Sequence, residues 1–182
     1  PEGGINIIGM GSAPSRGLKK GVVVNIEETV AAIQRALEEA ELMANCKITQ
    51  VYTGIAGSHI KAQNSSGMLP IRDREVSQSD KDRVVEIARA LNIPADQQVL
   101  HVLPQEFIID DQDGIKDPLG MSGVRLDVKV HIISGAVTSI QNIVKSCSRA
   151  GLHVNDLVLQ PLASSRAVLT TDWKNYGLQQ PR

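Results

Sequence analysis

Side chains able to do chemistry are scattered along this chain, and none of them falls into a complete catalytic pattern. A dinucleotide loop is the first possibility, because GMGSAPSRG follows an apolar run. That loop needs glycines spaced G-x-G-x-x-G with a helix opening behind them. Here the glycines are 9, 11 and 17, Pro14 takes the third position, and a turn out of a strand is the better reading. No GxxxxGK(S/T) run cradles a phosphate, and no GxSxG elbow presents a nucleophile. Gly120-Met121-Ser122-Gly123 is one residue short of such an elbow, so Ser122 shapes a turn. Asp110, Asp111, Asp113 and Gly114 hint at a calcium loop. With Gly114 at position six, position one is Ile109 and position twelve Gly120, so the required oxygen ligands are missing. His101 and His131 lie on strands that could pair, but neither HxxxH nor HxH spacing nor a CxxC accompanies them. Glu106 and Asp110 form a conceivable carboxylate pair, for which general acid–base work would require a shared pocket.

Composition narrows the choice further. The chain has 182 residues, with 19 basic against 20 acidic side chains and a formal net charge of −1. That balance gives no electrostatic footprint for a polyanion. The aromatic residues are Tyr52, Phe107, Trp173 and Tyr176, too sparse for the stacking platforms of single-strand binders. A nucleic-acid partner is therefore not expected. Cys46 and Cys147 stand in or beside apolar helical patterns and read as buried free thiols. Without a signal peptide or an apolar run long enough for a bilayer, the expected compartment is the cytoplasm. Pro1-Glu2-Gly3-Gly4 leads directly into an apolar run with no initiating Met, which reads as an excised fragment.

The elements that would position these residues follow from periodicity. A strand is expected over Ile5 to Gly11, then a loop, SAPSRGLKKG. Asn25, with Glu28 three residues on, caps a helix from about Ile26 to Ala44 whose stripe is Val30, Ile33, Leu37, Ala40 and Ala44. ITQVYTGIAG reads as a β-branched strand. A short strand IKAQN then enters a turn SSGMLP, and Ser77 or Ser79 caps a helix carrying Val84, Ala88 and Leu91. QVLHVLPQEFIID is a strand interrupted by Pro104, hence an edge or a bulge. DDQDGIKDPLGMSG is a loop. The next strand alternates Val124, Leu126, Val128 and Val130 against Arg125, Asp127, Lys129 and His131. A helix ending at Gly151, a strand LHVNDLVLQ and a helix PLASSRAVLT close the chain. The fold class is thus α/β (α+β): residues 1–57 and 136–182 form two α/β pieces, and 58–135 a strand–helix–strand–strand insert.

Several stretches together resemble the FtsA family of actin-like bacterial division proteins. They are GINIIGMGSAPSRGLKKGVVVNIEETVAAIQRALEEAELMA, GSHIKAQNSSGMLPI, VLHVLPQEFIID, GIKDPLGMSGVRL, KVHII and LVLQPLASSRAVLT, in collinear order. GMSGVRL is the most distinctive. The resemblance implies an incomplete actin-like (ribonuclease-H-like) subdomain 1A interrupted by an SHS2-type subdomain 1C. It also implies a role in cell division at the cytoplasmic face of the inner membrane, at the septum. The full-length family binds ATP and Mg, polymerises, tethers FtsZ to the membrane and receives the cytoplasmic tail of FtsN. Neither the DIGT-type nor the DIGGGT-type phosphate loop is in this sequence, so no enzymatic activity and no cofactor are expected of the chain itself. FtsZ and membrane contacts would belong to other regions of the family. Self-association and FtsN-type contacts are expected from 1C, through Met68 in its turn, Arg125 and, behind these, Glu106 and Lys129. Half of the nucleotide site of another actin-like ATPase or kinase relative is the alternative. An edge strand accepting a partner strand is a further mode of contact.

Overall fold

The computed structural model describes residues 6–90 and 93–168. The chain divides into two compact units, one of residues Ile60–Val137 and one made of Pro1–His59 with Thr138–Arg182.

The discontinuous unit opens with an extended stretch where a strand was expected. Asn6–Gly11 has no ladder partner among the described residues and is not a strand; Ile5 lies outside them. The stretch instead presses its backbone on a helix through two glycines. A Cβ at Gly9 would stand 2.6 Å from the Ala40 carbonyl oxygen, and one at Gly11 would stand 1.8 Å from that of Ala36. The expected loop after it holds a small hairpin, β1 (Leu18–Lys19) and β2 (Val22–Val23), turned by Lys20 and Gly21 at positive φ. Helix α1 (Ile26–Ala44) starts where its cap predicts: the Asn25 side chain accepts from the Glu28 N–H at 3.2 Å. It ends on left-handed Asn45, and the Glu41 carboxylate then accepts from the Ile48 N–H at 2.8 Å. Cys46, just beyond, is exposed, contrary to the buried thiol expected; Cys147 is buried. The helix ends at Ala44, two residues before Cys46, which therefore escapes its apolar stripe.

Strand β3 (Gln50–Ile55) pairs in parallel with β8 (His153–Leu159). The crossover helix is α3 (Val137–Arg149), which buries Ile140 and Cys147 and stops at Gly151, φ 89°. Helix α4 (Gln160–Val168) follows β8. Trp173 and Tyr176 lie outside the described residues. In chain order the continuous unit leaves from the end of β3 and returns at the start of α3, so it is an insertion in a parallel crossover.

That unit is a four-stranded antiparallel sheet of order β4 (Ile60–Pro70), β7 (Arg125–Ala136), β5 (Gln97–Ile109), β6 (Gln112–Ile115), with helix α2 (Gln78–Ala90) on one face. β4 (Ile60–Pro70) runs unbroken through the segment expected to turn. It pairs residue for residue with β7 (Arg125–Ala136), from Ile60↔Gly135 to Pro70↔Arg125. Eleven consecutive pairings outweigh the turn preference of Ser65-Ser66-Gly67. Gly67 has a different task there. A Cβ on it would meet the Val84 carbonyl oxygen at 2.4 Å and the Ala88 nitrogen at 2.8 Å, so its absence lets α2 (Gln78–Ala90) seat on the strand. Ser77 caps α2: its hydroxyl accepts from the Asp80 N–H at 3.2 Å and donates to the Asp80 carboxylate at 2.6 Å. Leu91 and Asn92, placed in this helix and its stop, lie outside the described residues.

β5 (Gln97–Ile109) is interior rather than an edge, and shifts register at a bulge between Pro104 and Glu106. The bulge accommodates a residue that has no N–H for the ladder. The acidic loop expected next contains a short edge strand, β6 (Gln112–Ile115), reached through Asp110 and Asp111 at positive φ. Leu126, Val128, Val130 and Ile132 of β7 are at most 1% exposed and form the core with Val84, Ala88, Leu69, Val76 and Phe107. Val124, assigned above to the same face, is 67% exposed and precedes the strand. We predict that Gly67→Val lowers stability by about 1–3 kcal/mol through overpacking against α2. Ser66→Val, on the opposite face of β4, should change it little. Urea unfolding of both variants checks this; equal effects would contradict the close strand–helix approach.

Candidate protein-interaction face

Cross-strand partners in a sheet project to the same side. The register pairs Met68 with Asp127, Ser66 with Lys129 and Asn64 with His131 between β4 and β7. Between β5 and β7 it pairs Glu106 with Lys129 and Ile108 with Asp127. All these residues therefore stand on the face of the sheet opposite α2. Arg125, two residues before Asp127 on β7, joins them. The structure brings Met68, Glu106, Arg125 and Lys129, the four residues singled out from sequence, onto this one face.

Their charges are already partnered within the unit. Lys129 Nζ lies 2.6 Å from Glu106 Oε1, and the other carboxylate oxygen accepts from the Gly114 N–H at 3.2 Å. The hydrogen bond from Lys129 holds the Glu106 carboxyl below its usual range, and the same bond raises Lys129. Arg125 donates from Nε to Asp127 Oδ2 at 3.0 Å and from a terminal nitrogen to Asp111. The bond to Asp111 is the main cause that raises the guanidinium still further. Asp110 completes the local frame by accepting from the backbone N–H of Arg125 at 2.9 Å and of Val124 at 3.0 Å. His131 Nδ1 and Asn64 Oδ1 are 2.8 Å apart. Each charge thus meets a partner from its own or a neighbouring strand or turn.

What is left unsatisfied on this face is apolar. Met68 is 60% exposed, on a strand rather than in the expected turn, with half-buried Ile108 two strands away on the same side. An exposed apolar centre bordered by charged groups matches the anatomy of a protein contact. The adjacent edge adds to it. β4 offers eleven residues without a register break, and between Lys61 and Pro70 it carries no charge. Charges, prolines and bulges are the usual devices that block an edge. The opposite edge, β6, has only four residues. Sequence reading missed Asn64, Ile108 and Asp111 as members of this face. The alternation of β7 displays Asp127 and His131, but only the pairing register reveals what stands beside them.

The other chemical candidates stay apart. In the register His101 faces Ile133 and His131 faces Leu103, so the two histidines are not opposite each other. Among the described residues no group of three or more His, Cys, Asp or Glu side chains is placed to hold a metal ion. Among those residues, too, no helix is long and apolar enough to cross a membrane.

The Glu106–Lys129 pair has a pH signature. The folded Glu106 pKa is lowered. Its stabilisation is therefore complete above the unfolded glutamate value of about 4.3 and lost as pH falls through the lower folded value. Glu106→Gln should lower the unfolding midpoint slightly near neutrality, as is usual for an exposed pair, and the difference from the parent should vanish at strongly acidic pH, where the parent has lost the pair. An acid profile identical to that of the parent would contradict this account of the pair.

The comparisons with known proteins include this region. The family described as the SHS2 domain inserted in FTSA matches residues 57–134. Cell division protein FtsA of Pseudomonas aeruginosa is 54% identical over 177 residues, which is 97% of this chain and 42% of that relative. The Neisseria meningitidis protein of the same name is 56% identical over 174 residues, 96% of this chain and 42% of the relative. That of Escherichia coli K12 is 48% identical over 178 residues, 98% and 42% respectively. Among solved structures, a chain of the PilM-PilN type IV pilus biogenesis complex matches with a TM-score of 0.54 at 17% identity, covering 84% of this chain and 40% of its own length. At that identity the likeness concerns the fold alone: a mixed α/β architecture. The chain spans about 42% of the length of the curated relatives it matches. Across that span, with the SHS2 insert at its centre, the chain belongs to the FtsA family of cell division proteins.

Proposed function

We propose that this chain works by protein contact, as the 1C subdomain and an incomplete actin-like 1A subdomain of an FtsA-type division protein. Its role is to supply filament contacts between copies and to receive the cytoplasmic tail of an FtsN-type partner. Tethering of FtsZ to the inner membrane at the septum belongs, in this reading, to regions of the family that the chain does not span. The observation that carries the proposal is the exposed Met68 on an open sheet face whose charges are satisfied internally, beside a β4 edge that carries no charge between Lys61 and Pro70. A partner that covers Met68 removes apolar surface from water without breaking an ion pair. A strand added to β4 would satisfy the outward backbone groups of that edge at the same time.

The proposal also assigns no nucleotide chemistry to the chain itself. Its sequence holds neither phosphate loop of the family. ATP and Mg are cofactors of the longer relatives in this reading, and catalysis is not a property of these 182 residues.

Fluorescence anisotropy with a labelled FtsN cytoplasmic-tail peptide tests the contact. The parent chain should bind the peptide. Met68→Glu places a charge at the apolar centre and should weaken binding at least tenfold, a difference of about 1.4 kcal/mol. Arg125→Glu, which meets Asp111 and Asp127 with a like charge, should also weaken it. Asn155→Glu, on β8 of the other unit, should leave affinity unchanged. A parent that fails to bind, or binding unmoved by the Met68 and Arg125 substitutions, would overturn the assignment of this face.

A further inference from the structure

We draw no further inference here: the strongest candidate, the apolar cavity lined by Val23, Ile33, Ile55, Ile143 and Cys147 beside β3, α1 and α3 of the discontinuous unit, carries nothing because nothing in the structure shows what occupies it.

Discussion

The inserted unit depends on the burial of one side of β7. This strand is paired on both edges, with β4 and with β5, and Leu126, Val128, Val130 and Ile132 on its inner side are almost wholly removed from water. Each large aliphatic side chain so buried contributes on the order of 1.5–3 kcal/mol. A slip of one residue would exchange those four for Arg125, Asp127, Lys129 and His131. The same constraint that builds the core thus fixes which side chains face outward. The polar face is a consequence of the register, and it positions Met68, Glu106 and Ile108 relative to β7 without any loop having to be held in place.

The charges on that face owe their arrangement to the same ladder. Glu106 and Lys129 are cross-strand partners, and the bulge at Pro104 lies immediately before that pairing. Arg125 stands at the start of β7, where the tight turn through Asp110 and Asp111 brings two carboxylates to it and to its backbone. Exposed ion pairs of this kind add little to stability. In the proposed contact, with their partners in place, these charges would cost little to leave at the rim, and the desolvated centre would fall to Met68.

Much of this was legible in the sequence wherever a segment carries its own periodicity. The alternation from Arg125 to His131 announces both the strand and its polar side, and Asn25 with Glu28 locates the start of α1. Legibility failed where the deciding partner is distant. Ser65-Ser66-Gly67-Met68 has turn composition, and only its pairing with Val130, Lys129, Val128 and Asp127 of β7 makes it strand. The apolar run from Ile7 to Met10 has strand composition, yet no strand pairs with it among the described residues, and it lies against α1 through Gly9 and Gly11. Gln112–Ile115 reads as loop because its pairing with β5 is confined to two positions. Of the outward face, the four residues named from sequence were visible singly. That they share one side of one sheet required the register.

The central claim, that the chain acts through the outer face of its inserted sheet and not through a nucleotide, is tested most directly by residue-resolved NMR. The isotopically labelled chain is titrated separately with an FtsN cytoplasmic-tail peptide and with ATP·Mg. The account predicts shifts clustered on β4, β7 and the end of β5 with the peptide, and none with ATP·Mg. Saturable shifts with ATP·Mg, or a peptide response outside residues 60–137, would contradict it.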